Sequence, residues 1–121
     1  MESMETDNKH LITPSNYDLV YKRAMGYSIT STTSTLAGLL RLAVDANGLP
    51  SYTGNHSGIC SVSTNTDDEY LLFYWIFSYN SYCTCTQISA KSIALTNMND
   101  QGTIVLSGGT TPYNVSVTVF N

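Results

Sequence analysis

The stretch YLLFYWIFSYNSYCTCTQI, Tyr70 to Ile88, decides the fold. It runs uncharged and almost wholly apolar to Phe77, breaks at polar residues around Asn80, and leaves through Cys83-Thr84-Cys85. Aromatic and β-branched residues on both sides of a turn signal predict a hairpin. With Asn80-Ser81 as a two-residue turn, Tyr79 pairs with Tyr82. Phe73, Trp75, Phe77 and Tyr79 then share a face with Tyr82, Thr84, Thr86 and Ile88. Leu72, Tyr74 and Ile76 share the other with Cys83 and Cys85, a candidate core or oligomer face. Both faces are nearly apolar, as in a strand covered on two sides.

The thiols invite a metal reading. His56, Cys60, Cys83 and Cys85 would supply four zinc ligands, but the usual C-x2–4-C spacing is missing and β-branched Thr84 favours extended backbone. Cys83 and Cys85 lie about 6.6 Å apart along a strand, at the far limit of disulfide reach. A disulfide to Cys60 is a further alternative. The preferred reading is a set of buried, inert thiols that pack as small hydrophobes, with no metal and no cofactor.

Downstream of residue 51 the pattern shortens to period two. Candidate strands are 59–64, 70–79, 82–95, 103–107 and 113–120, separated by TNTDDE, YNSY, NMNDQG and SGGTTP. Val115, Val117 and Val119 against Ser116, Thr118 and Phe120 form the clearest alternation.

Upstream, GYSITSTTST (26–35) reads as a hydroxyl-rich strand or linker. Leu36, Leu39, Leu40, Ala43 and Val44 recur at helical spacing before the Asn47-Gly48 stop, with Gly38 the one poor fit. The rival reading takes Leu40, Leu42 and Val44 as a strand. Ser15 to Asp18 makes a capping box that predicts a helix at 16–25. Residues 1–14 read as a polar, flexible or partner-ordered arm, and 15–121 as a single domain. The expected fold is mainly β: a small antiparallel sandwich or barrel-like sheet of about five strands in 59–120, preceded by one or two short N-terminal helices.

Charge excludes several functions. Only 12% of residues are charged, about half the usual share. Residues 42–121 hold five acids and one base, Lys91, and a phosphate-backbone binder needs clustered Lys and Arg. Nucleic acid is therefore not an expected partner. No segment approaches the roughly 18 apolar residues of a membrane span. Asp67-Asp68-Glu69 lacks calcium-loop spacing and reads as a solvated turn. Ser57, His56 and Asp45 match no triad motif, so no enzyme is expected. In SYTGNHSG (51–58), Tyr52, Asn55 and His56 combine residue types common in glycan-contact loops, although an ordinary exposed loop is preferred.

Serine and threonine supply 31 residues, with 10 asparagines and 9 tyrosines, an outside-type composition. Yet MESMETDNKHLITPSN has neither the basic region nor the apolar core of a secretory signal. A leaderless export substrate, or a mature chain shorn of its signal, would look the same. Leaderless, poor in charge, rich in Thr, Ser, Asn and Tyr and headed by a polar arm, the chain resembles small structural proteins of tailed-bacteriophage virions, of the head-decoration, head-fibre or tail-fibre type. That resemblance implies a non-catalytic virion component assembled in the host cytoplasm. It also implies a homo-oligomer, most often a trimer, attached to neighbouring virion proteins through residues 1–25. The alternative is a carbohydrate-binding, lectin-like adhesion domain that holds a host-surface glycan. A third reading is a small host-interaction or inhibitor protein of viral origin.

Overall fold

The computed structural model describes residues 26–46, 54–79 and 81–120. The arm at 1–14, the helix expected at 16–25 and Tyr52 lie outside them. The chain is mainly β, with eight strands and one helix among the described residues: β1 (Gly26–Ser31), β2 (Thr35–Leu36), α1 (Leu39–Ala46), β3 (Asn55–Ser63), β4 (Tyr70–Ser78), β5 (Tyr82–Lys91), β6 (Ile93–Met98), β7 (Ile104–Gly108) and β8 (Tyr113–Val119). A five-stranded antiparallel sheet runs β1-β8-β3-β4-β5, and a three-stranded one runs β2-β7-β6. Neither sheet is closed.

Alternation builds the large sheet. In β8, Tyr113, Val115, Val117 and Val119 are buried while Asn114, Ser116 and Thr118 face outward. In β4, Leu71, Phe73, Trp75 and Phe77 are at most 1% exposed. These inner faces meet Leu36, Leu39, Leu40, Ala43 and Val44, together with Ile93, Ile104 and Leu106 of the small sheet, in one core cluster. Each valine, leucine, isoleucine or phenylalanine among them contributes about 1.5–3 kcal/mol when fully buried.

The helix occupies the segment expected to hold one, but it begins three residues later than Leu36. Gly38 explains the offset. Its φ of 61° lies in the left-handed region, which glycine enters without a Cβ clash, so the chain turns there from β2 into α1. The Gly38 N–H donates to Thr103 Oγ1 at 2.9 Å and the Leu40 N–H to the Gly102 carbonyl at 3.1 Å. The β6–β7 turn thereby satisfies two amides at the start of α1, where helices lack internal partners.

The expected strand at 82–95 is two strands. Ser92 takes a φ of 69° and turns the chain from β5 in the large sheet to β6 in the small one. The hydroxyl-rich segment after Gly26 is a strand to Ser31, paired with β8.

The central hairpin is one residue out of the expected register. Ser78 pairs with Tyr82, Phe77 with Cys83 and Trp75 with Cys85, which leaves three residues in the loop rather than two. The Ser81 N–H closes it on the Ser78 carbonyl at 2.9 Å. The cause is non-local. Tyr79 leaves the sheet for α1: its hydroxyl donates to the Asp45 carboxylate, and the Arg41 guanidinium stacks 4.6 Å from its ring centroid. A slip of one residue sends the β5 side chains from Tyr82 to Gln87 to the opposite face, until a bulge between Leu72 and Phe73 restores the expected pairing at Ser89.

Candidate functional site: the outer face of the large sheet

The slip redistributes the expected face. Leu72, Tyr74 and Ile76 stay together on the outer side of the large sheet, half-buried by their neighbours. Cys83 and Cys85 move to the inner side, opposite Phe77 and Trp75. A mixed face of these five residues does not form.

Strand register lays out the outer face in rows. Thr118, Ile59, Tyr74 and Thr86 lie in line across β8, β3, β4 and β5. Beside them run Ser28, Ser116, Ser61, Leu72 and Ser89, starting from β1. Ser57, Ile76 and Thr84 form the row on the other side, and Phe120, 46% exposed, joins it through its N–H to the Ser57 carbonyl at 2.7 Å. The β1, β8 and far β3 part is a hydroxyl field. It contains a shallow hollow of about 320 Å³ whose lining includes Ser28, Thr30, Ser61, Ser63, Asn114 and Ser116. The part over β3 and β4 is an apolar stripe of Ile59, Leu72, Tyr74 and Ile76.

Among the outward residues of these five strands only Lys91, at the far end of β5, is charged. The described charges sit on α1 and in loops, apart from Lys91 at the end of β5. Solvated sheet faces ordinarily carry charge, which also guards them against association. The sequence signal for this face was the Ser/Thr alternation in β1, β3 and β8, hidden by the general abundance of hydroxyls.

The other expected site residues separate. Asn55 and His56 begin β3 and are not part of a loop. Asn55 is exposed and accepts from the Tyr82 hydroxyl at 2.8 Å, whereas His56 faces inward, 7% exposed, opposite Phe77. They do not form one contact surface. The four-ligand zinc arrangement is not assembled either. His56 and Cys60 are on β3, Cys83 and Cys85 on β5, and the aromatic side chains of β4 stand between. Among the described residues no group of three or more His, Cys, Asp and Glu is placed to hold a metal. All three cysteines are free thiols, and burial pushes Cys60 up to about 12.

In the acidic turn, Asp68 takes a φ of 65° and meets Lys91 at 3.8 Å across exposed side chains, a contact of little energetic weight. Glu69 has a different part, which its sequence position did not announce. Its carboxylate accepts from Thr64 Oγ1 at 2.7 Å, from the Thr110 N–H at 2.8 Å and from Thr110 Oγ1 at 3.2 Å. It ties the β3–β4 turn to the β7–β8 turn. The Thr64 hydroxyl bond, helped by those from Thr110, holds its pKa below the ordinary glutamate value.

Among the described residues no helix is long and apolar enough to cross a membrane. Comparison with family models, with curated proteins and with solved structures returned no match.

Proposed function

We propose that the chain is a non-catalytic structural component of a tailed-phage virion: a capsid decoration, head-fibre or tail-fibre subunit. On this reading it is an open two-layer sandwich that assembles as a homo-oligomer and attaches to neighbouring virion proteins through residues 1–25. The observation that supports assembly is the outer face of the large sheet, where Lys91 at one end of β5 is the only charge among the described residues. Away from that end, copies can cover one another without like-charge repulsion and without stripping water from an ion. Five strands about 4.8 Å apart and about seven residues long give a face of roughly 570 Å². Two such faces remove roughly 1,100 Å² from water, which clears the approximately 1,000 Å² expected of a specific interface.

Mass spectrometry of purified particles tests the placement. A structural subunit is present in stoichiometric copies, and deleting residues 1–14 abolishes its incorporation while leaving the oligomer intact. Absence from particles, or a truncated chain that still joins them, contradicts the reading. The hydroxyl-lined hollow favours one rival, a glycan-binding domain. That rival requires the isolated chain to bind a glycan array and to lose binding in Asn114→Ala.

A further inference from the structure

The register that removed Cys83 and Cys85 from the outer face brought them together in a different setting. They lie two residues apart on one face of β5, opposite Phe77 and Trp75, both of which are fully buried. Both thiols are half-buried against the core, and among the described residues β5 pairs only with β4, which places the pair on an edge strand of the sheet. We propose that Cys83 and Cys85 form a two-thiolate site for a soft monovalent cation of the Cu(I) or Ag(I) type.

Coordination chemistry makes the selection. Thiolates prefer soft ions, and d10 monovalent ions are content with two ligands in line. Two metal–sulfur bonds of about 2.3 Å span roughly 4.6 Å, an opening that neighbouring thiols reach by small rotations about χ1. Zinc wants four ligands, and the described residues offer no third His, Cys, Asp or Glu here. Hard cations want oxygens, while the wall is Trp75 and Phe77. The strand spacing that puts a direct disulfide at the limit of reach also keeps the pair from closing on itself.

Binding forms two metal–sulfur bonds, releases both thiol protons to solvent and changes no oxidation state. Cys60 lies opposite Phe73 on the far side of β4 and serves as an internal control.

The test titrates the reduced full chain, without oxygen, with Cu(I) held by a competing chelator. Native mass and the emission of Trp75, the sole tryptophan, provide the readouts. The expected result is one equivalent bound with quenching of Trp75. Cys83→Ser and Cys85→Ser should each weaken binding by about 100-fold or more, beyond what supporting residues alone are worth. Cys60→Ser should bind as the parent does. Undiminished binding in the Cys83→Ser/Cys85→Ser double variant, or its loss in Cys60→Ser alone, overturns the proposal. If a serine variant does not fold, phenylarsine oxide on the parent chain decides. One arsenical bridging Cys83 and Cys85 in the mapped peptide supports the site, and failure to bridge them overturns it.

Discussion

The two faces of β4 are made from one continuous run of sequence and have opposite fates. Leu71, Phe73, Trp75 and Phe77 are sealed from solvent at 1% exposure or less, while Leu72, Tyr74 and Ile76 are only half covered. Hydropathy does not separate the two sets. What lies against each does: α1 and the small sheet cover one side, and nothing in the described chain covers the other. The inner face therefore carries the stability of the fold, and the outer face is surface that the described residues leave half exposed.

Substitutions along the same strand can break that distinction. The largest effect belongs to Trp75→Ala, which should cost about 3–5 kcal/mol in denaturant unfolding, the range for emptying a large aromatic site. A cost near zero would place Trp75 outside the core. Gly58→Ala comes next. An added Cβ would stand 1.8 Å from the Thr118 carbonyl oxygen and 2.6 Å from Trp75 Cζ2, so backbone and ring must both shift. The expected loss is about 1–3 kcal/mol, as for overpacked cores. An unchanged midpoint would show that β3, β4 and β8 are not in this register.

Outer-face changes should be milder for the monomer. Ile76→Thr keeps a β-branched residue between Ser57 and Thr84 and should cost at most about 1 kcal/mol, the weight of a cross-strand pair. It should weaken self-association out of proportion to that cost. A large loss of monomer stability would mean that this face is packed within the chain.

The smallest effect lies at the Glu69 latch and shows itself through pH. The folded carboxyl titrates below its ordinary value of 4.5 because of the Thr64 and Thr110 bonds. Its contribution is therefore present above that value and is lost as pH falls through the lower folded pKa. Melting temperatures of the parent and Glu69→Gln should differ at neutral pH and converge in acid. A constant gap would show that the carboxylate is not what the two turns share.

Much of this was legible because it is local. The β8 alternation, the β4 core and the Gly38 misfit all reflect neighbours within a few residues. The hairpin register was not legible, because Tyr79 is claimed by Asp45 and Arg41 from a helix more than thirty positions earlier. The break at Ser92 was hidden for a related reason: a serine held at positive φ carries no glycine signal. As for the site, simple alternation puts Leu72, Tyr74 and Ile76 on one face, whereas the side taken by Cys83 and Cys85 depends on that single-residue slip. The hydroxyl half of the face went unseen, since a Ser/Thr-rich strand and a Ser/Thr-rich linker have the same composition.

The outer face, free of charge except for Lys91 at one end, is the surface proposed to join copies of the chain. Sedimentation equilibrium of the parent and of Tyr74→Lys/Ile76→Lys tests it most directly, with Trp75 emission and far-ultraviolet dichroism confirming that both are folded. The account predicts an oligomer for the parent and a folded 13.2 kDa monomer for the charged variant, whose new ammonium groups would have to be buried against each other. A parent that stays monomeric at high concentration, or a charged variant that assembles as the parent does, would contradict it.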